Sequence, residues 1–405
     1  MVEISLNAYH AVGIGAVMWW LGKQITTRIG FLNKFCIPAP LVGGLCFAIL
    51  NMILYSAGIA QFSLDGTFGT LFMSIFFTTV GFSASVPALK KGGKAVFIVL
   101  VVSIVVIVCQ NLIGGGIMVL MGRNPLYGIA CGSLALIGGP GTAAGIGPTL
   151  VAAGAEGATE IGVAAATFGM VSGSILGGPC ARMLVVSHKV KTPLSEGKSI
   201  SDSEVETEKE LMQEGGGYYT NSATFLKAFL LIMLSLGIGE VVSEILSTTL
   251  NISFPAYIGS MAMGMVIRNV MEFGHITCPE QEIDSLGNAS LNTFLAITVS
   301  SMQLWMIVEL ALPMVVCLVV QLIFLFAVCY FIVFRLLGSD YDAAVTTAGF
   351  LGMGLGTASN AMVSMQAVTS KYGPCMSAFF AVPVAGLFMD FFNAAIIAAN
   401  IVLWS

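Results

Sequence analysis

The segment LALIGGPGTAAGIGPTL, residues 134–150, mixes apolar residues with glycine, proline and threonine, a combination that interrupts a helix. It lies in a chain of 405 residues that is 57% hydrophobic and 9% charged, with a mean hydropathy of +0.94. This composition leaves too few polar residues to cover a water-soluble globule, so we predict an all-α polytopic membrane protein. The broken segment then needs an explanation, because hydrocarbon offers no partner for unpaired peptide groups.

Ten apolar runs are long enough to cross a bilayer, at about 20 residues per crossing. The first five predicted spans cover residues 6–21, 37–55, 68–86, 95–121 and 159–186. The second five cover residues 225–246, 254–271, 289–307, 310–336 and 375–403. Ten transmembrane helices are therefore expected.

The distribution of basic residues predicts the orientation of these spans. If the spans alternate and residues 126–154 do not cross, fifteen of the sixteen Lys and Arg residues share one side and only Arg123 lies on the other. The positive-inside rule then places both termini in the periplasm and the central linker in the cytoplasm. A full crossing by residues 126–154 would move the basic cluster from Arg182 to Lys198 outside, so this segment is predicted to be a re-entrant hairpin.

A second segment, TTAGFLGMGLGTASNAMVSM at residues 346–365, resembles the first. Gly139, Gly141 and Thr142 match residues that lie 215 positions later, and Gly43 and Gly122 match glycines 216 positions later. The chain is therefore interpreted as a duplication. Because five spans are an odd number, the second copy is inverted in the membrane, as in many secondary transporters.

This duplication divides the chain into three parts. Residues 1–186 form the first inverted repeat, with its re-entrant hairpin at about 126–154, and residues 222–405 form the second, with its hairpin at about 341–373. Between them, residues 187–221 are rich in Ser, Glu and Lys, which is typical of a solvated cytoplasmic linker.

The two hairpin tips are the predicted substrate site. Where a helix begins at a tip, its free N–H groups and positive dipole end suit an anionic carboxylate. The alternative is that the glycines only allow helices to pack closely, but two matched clusters favour binding. The candidate substrate-binding residues are Gly139, Gly141, Thr142, Gly356, Thr357, Ser359 and Asn360.

Asp390 and Asn393 are the predicted sodium site. A carboxylate inside a span is costly and is functional by default, and Asn393 lies one helical turn further along. Oxygen ligands of this kind suit a hard cation. The alternative is a structural carboxylate near the end of the span. Gln110, Asn111 and Asn292 are single polar residues within spans, for which we predict hydrogen bonds between helices.

No Ser/His/Asp constellation, metal-binding cluster or nucleotide-binding motif occurs, so the chain is not expected to be an enzyme. No cofactor is expected apart from sodium as the coupling ion. The expected partners are a small-molecule substrate and the lipid bilayer, with no role for nucleic acid.

Several motifs resemble those of the bacterial sodium/glutamate symporter family over nearly the whole chain. They are PAPLVGG (38–44), LGNASLNTFLA (286–296), SDYDAAVTTAG (339–349), GMGLGTASNAM (352–362) and MDFFNA (389–394). The resemblance implies a sodium-coupled uptake carrier of the bacterial inner membrane. It also implies a homodimer in which a mobile domain that holds both hairpins moves against a scaffold.

Glutamate is the substrate that this resemblance implies. One alternative is a carrier of the same fold for another amino acid or a dicarboxylate. A second alternative, from a different class, is an ion channel or a sodium/proton antiporter, which would move ions without an organic solute.

Overall fold

The computed structural model describes residues 2–35, 37–87, 93–193, 221–250, 256–306 and 310–404. In the first half of the chain the helices are α1 (Ala8–Arg28), α2 (Gly30–Lys34), α3 (Ala39–Ser56), α4 (Thr67–Ser83), α5 (Gly93–Leu120), α6 (Leu126–Ala130), α7 (Ser133–Leu136), α8 (Gly139–Ala152) and α9 (Ala158–Ser187). The second half has α10 (Ser222–Leu250), α11 (Ala256–Phe273), α12 (Glu280–Ser300), α13 (Ala311–Val328), α14 (Phe334–Leu336), α15 (Tyr341–Gly354), α16 (Ala358–Tyr372) and α17 (Met376–Trp404). A short 3₁₀ helix, Leu304–Met306, precedes α13, and a π-helical turn, Cys329–Val333, joins α13 to α14.

Six of the described helices are long and apolar enough to cross a membrane. They are Ala39–Ser56, Gly93–Leu120, Ala158–Ser187, Ser222–Ile245, Ala311–Leu336 and Met376–Trp404. An all-α polytopic membrane protein is thus confirmed at this level. The predicted linker is described only at its ends, because residues 194–220 lie outside the described part of the chain.

The eighth predicted span is wrong in its bounds. It is predicted at residues 289–307, whereas α12 begins at Glu280 and ends at Ser300. The first turns of α12 carry Glu280, Glu282 and Asp284, which a search for apolar runs does not include. The apolar sequence that follows Ser300 leaves the helix, so hydropathy alone shifts the predicted span towards the carboxyl terminus.

Two short strands, which sequence analysis does not predict, connect the amino terminus to the loop between α3 and α4. Strand β1 (Val2–Leu6) pairs in parallel with β2 (Ala60–Leu64), and Ile4 lies opposite Phe62. The side chain of Asn51 on α3 bonds both backbone groups of Phe62, as acceptor at 2.8 Å and as donor at 3.0 Å. Since the strands lead into α1 and α4, these two helices begin at the same end of the helix assembly.

Glycines allow the same close helix contact in each half of the chain. A β-carbon on Gly22 of α1 would overlap the carbonyl oxygen of Ala39, and one on Gly43 of α3 would overlap that of Met18. In the second half, α10 and α11 approach in the same way through Gly239 and Gly259. Gly43 and Gly259 are one of the residue pairs that the sequence comparison of the two halves aligns. Small residues at such positions let helix backbones pack directly against each other.

The helices divide into two groups by their contacts. Group one consists of α1, α3, α4, α10, α11 and α12, and group two consists of α5 to α9 and α13 to α17. Within each group the helices pack extensively. The main helix contacts that join the groups are those of α8 with α12 and of α17 with α4 and α11, and they are few. The boundary between the groups is therefore much thinner than the packing within them.

We expect Gly43→Val to destabilise the fold, because the added methyl groups would occupy the space of the Met18 backbone. Overpacking costs about 1–3 kcal/mol where side chains can adjust, and a backbone neighbour adjusts less. Thermal unfolding of the purified protein in detergent measures the effect. The matched control is Gly13→Val on α1, where no atom lies within 4 Å of the added carbon. Equal unfolding temperatures for the two variants would contradict the prediction.

Candidate substrate and ion site

Two helical hairpins lie along opposite halves of α9. Hairpin one consists of α6, α7 and α8, and hairpin two consists of α15 and α16. At the base of hairpin one the Tyr127 hydroxyl donates to the Glu156 carbonyl oxygen at 2.8 Å, just before α9 begins. At the other end of α9 the Ser187 hydroxyl lies 3.0 Å from that of Tyr330, in the segment that leads into hairpin two. The bases of the two hairpins are thus separated by the length of α9, which has 30 residues.

A row of three glycines on α9 allows hairpin two to approach its backbone. A β-carbon on Gly169 would overlap the Leu355 carbonyl oxygen, and one on Gly177 would overlap the Ser364 side chain. Between them, a β-carbon on Gly173 would lie only 3.0 Å from the Gly352 carbonyl oxygen. The Ser364 hydroxyl also donates to the Gly173 carbonyl oxygen at 3.2 Å. Hairpin two is therefore packed on α9 along most of its length.

The tips of the two hairpins meet. Gly139 begins α8 with a φ of 68°, a conformation that favours glycine, and a β-carbon there would lie 2.9 Å from Thr357 Cγ2 and 4.0 Å from the Gly356 oxygen. Thr357 is the N-cap of α16. The amino ends of α8 and α16 are thus neighbours, and their first-turn N–H groups and positive dipole ends favour an anion between them.

The tip of hairpin one also contacts group one. A β-carbon on Gly141 would lie 3.0 Å from Leu291 Cδ1 on α12 and 3.7 Å from Phe76 Cε1 on α4. Thr142 follows it and is 6% exposed. Of the candidate residues on hairpin two, Ser359 is exposed and Thr357 is half-buried. The meeting point of the tips therefore lies beside the boundary between the two groups.

Asn360 is fully buried, and its side chain is committed to contacts within the protein. Its Oδ1 accepts from the Thr357 backbone N–H at 3.0 Å and from the Thr357 hydroxyl at 2.7 Å. The Thr357 side chain in turn accepts from the Asn360 backbone N–H, which completes a capping box. Its Nδ2 donates to Ser174 Oγ at 2.7 Å and to the Met170 carbonyl oxygen at 3.1 Å. Asn360 thus ties the tip of hairpin two to α9. Direct contact of Asn360 with substrate stays a prediction.

Asn393 contacts the break between α6 and α7. It is fully buried, and its Nδ2 donates to the Ser133 carbonyl oxygen at 3.0 Å, while its Oδ1 has no hydrogen-bond partner among the described residues. From the other side, Asn111 Oδ1 accepts from the Ser133 backbone N–H at 3.1 Å and from its hydroxyl at 2.9 Å. The broken backbone is therefore held by one asparagine from α5 and one from α17.

Asp390 lies one turn before Asn393 on α17 and is half-buried. Within the described part of the chain, its carboxylate has no hydrogen bond or ion pair. Among the described residues, this region of α17 thus carries a carboxylate and a buried amide oxygen without partners. Oxygen ligands of this kind suit a hard cation.

The hydrogen bonds predicted for polar residues in spans are partly confirmed. Gln110 Nε2 donates to the carbonyl oxygen of Gly354, the last residue of α15, at 3.3 Å, so this bond joins two helices as predicted. Asn111 also bonds across helices. The prediction for Asn292 is wrong, because its amide donates to Asn288 of its own helix at 2.7 Å.

Sequence analysis misses Ser133, Ser174 and Gln321. Gln321 Nε2 donates to the Gln110 carbonyl oxygen at 2.6 Å, which makes a second polar contact between α13 and α5. The available signal for Ser133 is its position directly after Gly132 at the break. Ser174 has a weaker signal, as a polar residue within the glycine row of α9.

A family model described as the sodium/glutamate symporter matches residues 4–374. A protein of Escherichia coli (strain K12) named sodium/glutamate symporter is 35% identical over 386 residues, which covers 95% of this chain and 94% of the relative. A protein of the same name from Haemophilus influenzae is 34% identical and covers 98% of both chains.

We expect Asn360→Leu to lower the unfolding temperature even without substrate, because the variant removes the side chain that bonds the Thr357 backbone N–H and the buried bonds from Nδ2 to α9. A buried group that loses its partner costs about 1–3 kcal/mol. Thermal unfolding in detergent measures this loss, with Ser359→Ala as the control on the exposed neighbour. An unfolding temperature equal to that of the wild type would show that the contacts of Asn360 do not stabilise the tip.

Proposed function

Because this chain belongs to the sodium/glutamate symporter family, we propose that it couples sodium influx to the uptake of an anionic amino acid, with glutamate as the substrate. It is a transporter and not an enzyme. The family match and the similar relatives extend over nearly the whole chain, so the proposal applies to this chain as a whole and not to one part of it.

The observation that carries this proposal is the contact between the amino ends of α8 and α16. Glutamate carries two carboxylates, and two helix amino ends that face one place offer each carboxylate a set of N–H donors. In this proposal the substrate contacts come from Gly139, Gly141 and Thr142 of hairpin one and from Gly356, Thr357, Ser359 and Asn360 of hairpin two. The hydroxyl groups among them would select for the polar groups of the solute.

We propose ten transmembrane helices in two inverted repeats, each with a re-entrant hairpin. The position of the hairpin bases at opposite ends of α9 supports this arrangement, as do the equivalent glycine contacts of α1 with α3 and of α10 with α11. The distribution of basic residues supports periplasmic termini and a cytoplasmic linker in the bacterial inner membrane.

Alternating access in this proposal is elevator-like. Group two holds both hairpins and moves as a body against group one, and the thin boundary between the groups supports such a displacement. The tips lie beside that boundary, so a solute bound between them would move with group two. Group one would remain fixed in the bilayer and would provide the contact between the two copies of a homodimer.

The proposed sodium ligands are Asp390 and Asn393. The unpartnered Oδ1 of Asn393 supports this assignment, since a buried acceptor without a partner is costly and a cation would compensate it. The Nδ2 bond of Asn393 to Ser133 links the same side chain to hairpin one. Occupancy by sodium would thereby be coupled to the conformation of the hairpin that helps to hold the substrate.

Proteoliposomes test the transport activity directly. We expect an inward sodium gradient to drive accumulation of labelled glutamate, and we expect a potassium gradient to drive none. Unlabelled amino acids and dicarboxylates, added in excess, would identify another cargo through stronger competition than glutamate itself. Sodium or proton flux that does not require any of these solutes would contradict symport and favour a channel or an antiporter.

We expect Asp390→Asn to raise the sodium concentration for half-maximal uptake by about tenfold or more, because a loss of about 1.4 kcal/mol in ion binding corresponds to a factor of ten. The substitution removes a charge at nearly constant volume, so the fold should persist. Uptake at a series of external sodium concentrations measures the change.

The matched control is Asp65→Asn, the same exchange in the loop before α4, where the carboxylate caps Thr67 at 2.8 Å. An unchanged sodium dependence in Asp390→Asn would assign Asp390 a structural role.

A further inference from the structure

Strand β1 has one edge that is paired and one that is open. The Val2 N–H donates to the Ile59 carbonyl oxygen at 3.1 Å, and the Asp65 N–H donates to that of Leu6 at 2.9 Å. The N–H and C=O groups of one strand residue point to the same side of the strand, and this side alternates from one residue to the next. The backbone groups of Val2, Ile4 and Leu6 therefore face β2. The backbone groups of Glu3 and Ser5 therefore point away from β2, and no described residue pairs with them.

The opposite edge of this two-stranded sheet is closed. Phe62 points its backbone groups away from β1, and the side chain of Asn51 bonds both of them. Strand β2 also packs on α3, whereas the main contact of β1 is with β2. An open strand edge is a template for another strand, and proteins usually cover or block it. Among the described residues, one edge of this sheet is blocked and nothing pairs with the other.

We propose that β1 pairs in antiparallel orientation with β1 of a second copy of this chain, so that the two copies share a four-stranded sheet. With Ile4 at the centre, Glu3 lies opposite Ser5 of the partner subunit, and each such pair exchanges two backbone hydrogen bonds. The two Glu3 carboxylates are then kept apart. On the face that carries the even-numbered residues, Val2 comes opposite Leu6 of the partner subunit, which covers a valine that is otherwise 63% exposed.

A second copy is the partner that fits this edge because of the membrane. A bilayer holds every copy at the same depth and in the same orientation, so each copy presents β1 at the same height. In the proposed dimer β1 runs along the membrane surface, so rotation about an axis normal to the bilayer brings two identical edges together in antiparallel orientation, as a twofold interface requires. Strand β1 leads into α1 of group one, so the shared sheet leaves group two free to move. Only this last point rests on the proposed function.

The first test removes the open N–H group. Ser5→Pro deletes a donor that the chain itself does not use, so β1 should remain paired with β2. We expect it to weaken dimer formation about tenfold or more relative to Ser5→Ala, because two hydrogen bonds are lost across the twofold axis. The dimer fraction at increasing dilution, in detergent and in lipid vesicles, measures the change. Equal dimer fractions for the two variants, or a wild-type protein that is monomeric, would overturn the proposal.

The second test measures the register. The two copies of residue 4 form a non-hydrogen-bonded pair, whose Cα atoms lie about 4.5 Å apart, within reach of a disulfide. Under copper-catalysed oxidation by oxygen, which accepts the two electrons and two protons of the thiols, Ile4→Cys should yield covalent dimers. Leu6→Cys is the control, because its symmetry mate lies several residues away along the strand.

Wild-type protein under the same oxidation gives the background from the nine native cysteines. Equal cross-linking of Ile4→Cys and Leu6→Cys would overturn the register. Both readouts measure dimer formation and not uptake. The proposed strand pairing can therefore be contradicted without affecting the transport proposal, and the transport proposal can be contradicted without affecting the strand pairing.

Discussion

The structure depends on one constraint, which is that peptide groups released by a broken helix must find partners away from water. Each break in the hairpins is met by an amide side chain. Asn111 and Asn393 hold Ser133 at the first break, and Asn360 caps α16 at the second tip while it bonds α9. In the proposal, a solute serves instead as the partner for the remaining first-turn N–H groups of α8 and α16, where the two tips meet.

The positions of the breaks could be predicted from sequence, because glycine and proline within apolar runs have few other interpretations. The partners that satisfy the breaks could not. Asn393 and Ser133 are separated by 260 positions, and Asn360 and Met170 by 190. A local sequence pattern does not predict contacts between residues so far apart in the chain. A polar residue inside a span, such as Gln110 or Asn111, is expected to need a hydrogen-bond partner. The sequence around it does not identify which helix supplies that partner.

Two errors have physical causes of the same kind. Hydropathy finds the apolar part of a helix, so it misplaces α12, whose first turns are acidic although they are helical. The strands β1 and β2 have only five residues each, too few for an alternating pattern to stand out from apolar sequence around them. Both features lie at the ends of the helix assembly, where hydropathy no longer predicts which residues are helical.

The bond between Asn393 and Ser133 also bears on biosynthesis. Hairpin one is among the earlier segments to leave the ribosome, whereas Asn393 belongs to the last helix. Throughout translation of the second half, the Ser133 carbonyl oxygen lacks the donor that it has in the finished protein. Until α17 is inserted, this oxygen accepts from the backbone N–H groups of Ile137 and Gly138 but not from Asn393. A chain truncated before α17 would lack this contact, and of the two asparagines at the break only Asn111 would remain bonded to Ser133.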